Sequence, residues 1–358
     1  MEPIHIHIPD ETLDDLRTRL RRTRWPDQVP GIGWQQGTDL EWLHKLVSYW
    51  TNHFDWRAWE ARLNALQHFT WQGIHFVHQR ATSGKGLPLI LTHGWPGSFL
   101  DYLDMLPLLA DFDVVIPSLP GYGFSSRPPQ VGVNYRYVAE RWHQLMSALG
   151  YSCCAAGGYD FGSGVTTLLA FDHPESVVGI HLTTLESDLN PTVDDAELSD
   201  LERSYLAVTR RWDTTERGYS TIQSTKPQTV GYGLNDSPAG LAAYLGEKWH
   251  SWSDVTPPDD FLCATFTLYW VTQTITSSMR DYCDNRWHPV KPAYVHTPTA
   301  FAVFAHQTVP EGEPPRSYLE RVYNIQRWQV FPRGGHFAPV EQPAEVAQDI
   351  TGFFKELT

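Results

Sequence analysis

Apolar residues along the chain change their spacing several times, and each change marks a different kind of structure. Leu13, Leu16 and Leu20 recur at helical intervals behind Pro9-Asp10-Glu11-Thr12, predicting a helix that runs to residue 22. Further helices are expected at 38–52 and 56–65, after a loop rich in Trp, Gly and Pro over 25–37. Alternation at 5–8 predicts a strand, and alternation around Gly73 over 68–79 predicts a hairpin. From residue 87 the apolar runs become short and nearly continuous, at 87–92, 112–117, 151–156 and 177–182, with a helix at 135–149 between them. Such runs are expected of strands in a parallel sheet covered on both faces. The alternation stops between about 186 and 287, where only helical segments are expected, one of them opened by Pro238. Strands resume at 298–304 and 328–331, and a helix over 343–357 ends the pattern.

The pattern divides the chain into an N-terminal region (1–85), a first part of an α/β core (86–185), a helical cap (186–290) and a second part of the core (291–358). There is no internal repeat and no low-complexity tract. Hydrophobic residues make up 41% and charged residues 19% of the 358, a globular composition. A net charge of −14 argues against a nucleic-acid or anionic-membrane partner. No apolar run approaches the length of a membrane span, and Met1-Glu2-Pro3-Ile4-His5 lacks the basic-then-apolar order of a leader. Cys153, Cys154, Cys263 and Cys283 have no metal-ligand spacing, so a reduced, cytoplasmic protein is expected. The 15 Trp, 16 Tyr and 16 Phe suit an aromatic-lined pocket as well as a core.

Candidate chemistry centres on Gly158-Tyr159-Asp160-Phe161-Gly162, between the strand at 151–156 and an apolar helical run from Val165. Small residues two positions either side of a central residue are the pattern of a nucleophile elbow, a sharp strand-to-helix turn that exposes its central side chain. Here that residue is Asp160 rather than serine. A Gly-rich turn whose aspartate merely caps the helix is the plainer alternative. A carboxylate needs no base to become a nucleophile, and its attack on a saturated carbon bearing a leaving group produces an ester. His93-Gly94-Trp95-Pro96-Gly97 ends an earlier strand, so the amides of Trp95 and Phe161 are candidates for an oxyanion hole. His336, in Arg333-Gly334-Gly335-His336-Phe337 after the last strand, falls where a general base belongs in the order nucleophile, acid, base.

These motifs, with Thr225-Lys226-Pro227-Gln228-Thr229 and Leu234-Asn235-Asp236-Ser237-Pro238, closely resemble those of the microsomal-type epoxide hydrolases of the α/β-hydrolase superfamily, over nearly the whole chain. The resemblance implies an α/β-hydrolase fold: a mostly parallel sheet with helices on both faces, an inserted helical cap and an N-terminal extension. It implies a cofactor-independent, metal-free hydrolase that opens an epoxide through an aspartyl ester and releases a vicinal diol. Tyr219 and Tyr282 match the family's two cap tyrosines, which hydrogen-bond the ring oxygen, and the Trp95–Pro96 bond is expected to be cis. The family's relay acid matches Gln307, which is no acid, so Glu311 is expected to serve instead, with Glu313, Glu186, Asp188 or Gln307 itself as alternatives. The expected partner is a small-molecule epoxide, bulky and apolar given the aromatic content, and the sequence permits a homo-oligomer. An alkyl-halide hydrolase, an epoxide-opening cyclase of the same fold, and a silent ligand-binding member are the competing readings.

Overall fold

The computed structural model describes residues 1–184, 189–307 and 314–357. Within them the strands are β1 (Glu2–Ile4), β2 (His68–Trp71), β3 (Ile74–Gln79), β4 (Leu87–Thr92), β5 (Phe112–Pro117), β6 (Cys154–Gly158), β7 (Val177–Leu182), β8 (Val295–Phe304) and β9 (Tyr323–Phe331). They form one sheet in the order β1-β2-β3-β5-β4-β6-β7-β8-β9. The pairs β1/β2, β2/β3 and β3/β5 are antiparallel, and every pair from β5 through β9 is parallel. This is the mostly parallel sheet of the α/β-hydrolase fold.

The strand order itself positions a site. From β4 the chain steps outward to β5, then returns across β4 to β6. Connections leave in opposite directions there and open a crevice beyond the carboxyl ends of β4 and β6. His93-Gly94-Trp95 follows β4 and Asp160 follows β6. Strand β6 is wholly buried and made of Cys, Ala and Gly, so the helix Phe161–Asp172, itself almost wholly buried, lies close against it.

Several expected boundaries shift for identifiable reasons. Residues 5–8 belong to no regular element and pair with no strand, and the edge strand is instead Glu2–Ile4, paired with 68–70. Side chains take over the ladder's work there. Ile6 N–H donates to Asn64 Oδ1 and Asn64 Nδ2 donates to Ile6 O, both at 2.8 Å, while Ile8 N–H donates to Glu60 Oε2 at 2.8 Å. The elbow strand starts at Cys154 rather than 151 and runs through both glycines. Strands β8 and β9 begin earlier than their apolar runs, because polar residues such as Asn324 and Arg327 extend the pairing at the sheet edge. The hairpin turns on Gln72 and Gly73, both at positive φ.

The described residues between β7 and β8 are helical wherever they are regular, including Asp200–Thr215, Gly218–Gln223, Pro227–Asp236, Pro238–Trp252, Asp259–Thr272 and Ile275–Trp287. Ser237 caps the fourth of these, accepting from Gly240 N–H at 3.0 Å. The Trp-rich N-terminal helices pack on these helices. Trp50 Nε1 donates to Thr267 Oγ1 at 2.8 Å in the interior, and Trp59 Nε1 donates to Asp260 Oδ2 at 2.8 Å. A Cβ on Gly246 would lie 2.7 Å from the Trp42 ring, so the bare backbone is what lets helices Leu40–Asn52 and Pro238–Trp252 approach. The N-terminal region thereby braces the helix that walls the crevice.

Candidate active site

Asp160 sits at φ 51°, ψ −133°, a region that a non-glycine residue occupies only when its surroundings force it. The forcing is steric. A Cβ on Gly162 would lie 1.9 Å from Thr92 O, and one on Gly158 would lie 2.4 Å from Gly162 backbone. No larger residue fits at either position, so the turn closes tightly and pushes Asp160 up at the head of the helix.

Two backbone amides grip one oxygen of that carboxylate. Trp95 N–H donates to Asp160 Oδ1 at 2.8 Å and Phe161 N–H donates to the same atom at 2.7 Å. The second bond is a helix cap in form, but the first reaches across from the loop after β4 and has no capping function. The other oxygen, Oδ2, lies 3.1 Å from His336 Nε2. His336 is buried, and its N–H donates to Trp252 O at 2.8 Å, tying the last loop to the helical segment above. The Trp95–Pro96 bond is cis.

The residues that supply the two amides also seat the two tyrosines. The Trp95 ring stacks on Tyr219 at 5.5 Å and 8°, and meets Tyr282 edge-on at 5.6 Å. The Phe161 ring meets Tyr282 at 4.7 Å and 85°. The two tyrosine rings lie 5.7 Å apart, and Trp252 sits 5.3 Å from Tyr219 and 5.0 Å from His336. Asp160, His336, Trp95, Phe161, Tyr219 and Tyr282, separated by up to 241 positions, are therefore assembled around one point in the crevice.

The relay position differs from a carboxylate arrangement. Gln307 is buried, its Nε2 donates to Thr183 O at 3.0 Å, and its Oε1 has no hydrogen-bond partner among the described residues. His336 Nδ1 is buried and has no hydrogen-bond partner among the described residues. Glu186, Asp188, Glu311 and Glu313 all lie outside the described residues.

Residues not singled out from the sequence hold this geometry. His93 Nε2 accepts from Leu119 N–H at 3.2 Å, so its Nδ1 carries the proton and donates to Gly94 O at 3.1 Å. Burial, chiefly, pushes its pKa down to about 4 and keeps it neutral while it pins the loops after β4 and β5. Asp101 ties the β4 loop to the elbow: its Oδ2 accepts from Ser98 N–H at 2.8 Å and from Tyr159 O–H at 2.5 Å. The Ser98-x-x-Asp101 spacing of a capping box is the sequence signal that marks it.

Burial raises the Asp101 pKa to about 7, outweighing the hydrogen bonds that lower it. A carboxyl whose folded pKa exceeds its unfolded value stabilises the fold when protonated. That stabilisation is present below about pH 4 and is lost as pH rises towards and through 7. Asp101→Asn removes this titration. Its melting temperature should accordingly gain on that of the parent between about pH 5 and about pH 8, and parallel curves over that range would refute the assignment.

Among the described residues no three His, Cys, Asp or Glu side chains are grouped to hold a metal ion, and no helix is long and apolar enough to cross a membrane. A family model described as the epoxide hydrolase N terminus matches residues 1–102, and one described as the alpha/beta hydrolase fold matches 88–223. Epoxide hydrolase 1 of Sus scrofa is 34% identical over 99% of this chain and 88% of its own. Juvenile hormone epoxide hydrolase 2 of Ctenocephalides felis is 34% identical over 99% of this chain and 86% of its own. The solved structure of Aspergillus niger epoxide hydrolase superposes with a TM-score of 0.89 at 31% identity, covering 100% of this chain and 96% of that one. Likeness at this level over the whole length, on a shared fold, means that the chain belongs to the epoxide hydrolase family, microsomal type, and is an enzyme of that class.

Proposed function

We propose that the chain hydrolyses its epoxide through a covalent ester on Asp160. The observation that carries this is the division between the two oxygens of Asp160, with Oδ1 held by two amides and Oδ2 left towards His336. Oδ2 attacks a ring carbon, and the electron pair of the breaking C–O bond passes to the ring oxygen. That oxygen takes a proton from Tyr219 or Tyr282, whose rings pack on those of Trp95 and Phe161. Water then adds to Cγ of the ester, giving one proton to His336, while the charge that builds on Oδ1 meets the amides of Trp95 and Phe161. Collapse expels the diol oxygen, which recovers that proton from His336. The acid left on Asp160 releases the water's second proton, which restores the phenol.

His336 Nδ1 needs an acceptor to hold this tautomer. Gln307 Nε2 is engaged by Thr183, while its Oε1 has no partner among the described residues; we propose Glu311, four residues further on, as the acceptor, with Gln307 Oε1 the alternative. The aromatic walls supplied by Trp95, Phe161 and Trp252 favour a bulky, apolar epoxide. Four unpaired cysteines support a reducing, cytoplasmic setting. The helical run between β7 and β8 supports treating 186–290 as a cap on a core of 86–185 and 291–358, with 1–85 as the bracing extension.

Mass spectrometry tests the ester directly. Protein quenched in acid during turnover of an epoxide such as styrene oxide should carry one substrate mass on the peptide containing Asp160. A quenched sample that shows active turnover and an unmodified Asp160 peptide would remove the covalent mechanism.

A further inference from the structure

The helix Pro238–Trp252 presents Leu241, Leu245, Lys248 and Trp252 along one buried face, at successive steps of four, three and four. A lysine in such a stripe is out of place, since a buried ammonium loses its hydration and stabilises a fold only when something compensates it. Lys248 is only 6% exposed. Its Nζ pairs with Glu247, whose Oε1 also accepts from Ser251 Oγ at 3.0 Å. That pair fixes the ammonium without explaining why it points inward.

What it faces does explain it. The Nζ lies 4.4 Å from the centre of the Tyr219 ring and 5.5 Å from that of Trp252. Tyr219 is meanwhile held flat against Trp95 and edge-on by Tyr282 and Trp252, so its ring cannot swing away from the charge. A cation is attracted to the face of a neutral phenol, and more strongly to the same ring once its proton has moved and negative charge spreads into it. In a site walled by aromatic rings that difference is little screened by water.

We propose that Lys248 is a positioning residue for the ring-opening step, acting through Tyr219 by favouring the charge that the phenol acquires as it protonates the departing oxygen. This rests on the reading of Tyr219 as a proton donor given above. Because hydrolysis of the ester uses His336 and the two amides, Lys248 acts on alkylation and not on the second step.

The test is a double-mutant cycle read by rapid quench under single turnover, with styrene oxide as the probe. Lys248→Met, close in volume and uncharged, should slow alkylation about tenfold. Hydrolysis of the ester, once formed, should keep its parental rate. Lys248→Arg restores a charge at the same place and should recover most of the alkylation rate. In a Tyr219→Phe background, Lys248→Met should cost nothing further. Parental alkylation in Lys248→Met overturns the proposal, as does an equal loss with and without the Tyr219 hydroxyl. So does an Arg variant that melts like the parent yet alkylates no faster than the Met variant. If Tyr219→Phe alone leaves alkylation at parental speed, the reading of Tyr219 itself falls. If Tyr219→Phe is slow and the two losses multiply, only the part given to Lys248 falls.

Discussion

Asp160→Asn is expected to lose turnover by about four orders of magnitude or more while folding as the parent does. The reasoning begins with the backbone. Asn tolerates positive φ at least as well as Asp, so the strained turn at φ 51° is kept. Its amide oxygen can still accept from Trp95 and Phe161 N–H, which preserves the bridge between the loop after β4 and the elbow. What disappears is the anion on the second oxygen, and the NH₂ that replaces it cannot open an epoxide because its electron pair is delocalised into the carbonyl. A melting curve that overlays the parent's, together with absent diol formation, is the anticipated pair of results. Deamidation back to Asp must be excluded by intact mass. A variant whose mass is wholly that of Asn, and which still turns over appreciably, would mean that another group is the nucleophile.

His336→Gln should separate the two chemical steps. Nε2 lies 3.1 Å from Oδ2, so in the proposed mechanism the same nitrogen would take the proton of the water that adds to Cγ. Alkylation needs no base and should proceed at close to its parental rate. Ester hydrolysis, deprived of the base, should slow by about 10²–10⁴-fold, the range typical of general-base contributions. Epoxide consumption would then stop after one equivalent per enzyme, and nearly all the protein would carry the substrate mass. A variant that alkylates quickly yet shows no lasting adduct would assign water activation elsewhere.

How much of this was legible beforehand depended on whether a residue's role is local. Gly158 and Gly162 bracket Asp160 within five positions, and the collision that each excludes is between near neighbours in sequence or an adjacent strand, so the elbow could be read directly. The strands at 87–92, 112–117 and 177–182 were equally clear, because burial on both faces keeps them mainly apolar, with Asp113 and His181 as the ionisable exceptions. The edges were not. Residues 5–8 alternate like a strand, yet their partners are Asn64 and Glu60, more than fifty residues away. Strand β9 carries polar residues that only pairing with β8 makes regular. The tyrosines came from the family's motifs alone, since nothing in a run of sequence shows that Trp95 and Phe161 would seat them. Lys248 was within reach of pattern reading, as a charge at an apolar helical position between Leu245 and Trp252, but what it faces is decided by the packing of a separate helix that carries Tyr219.

On the proposed covalent mechanism, the grip of two amides on Oδ1 would also decide when solvent oxygen reaches the product. A carboxylate held at one oxygen would not turn over between cycles, so Oδ2 would be the atom given to substrate each time. The oxygen that water adds to Cγ would then take the vacated place and be handed to the next epoxide. Each diol would thus carry an oxygen drawn from solvent one cycle earlier, and the first diol from a newly made molecule would carry an oxygen that belonged to its own polypeptide.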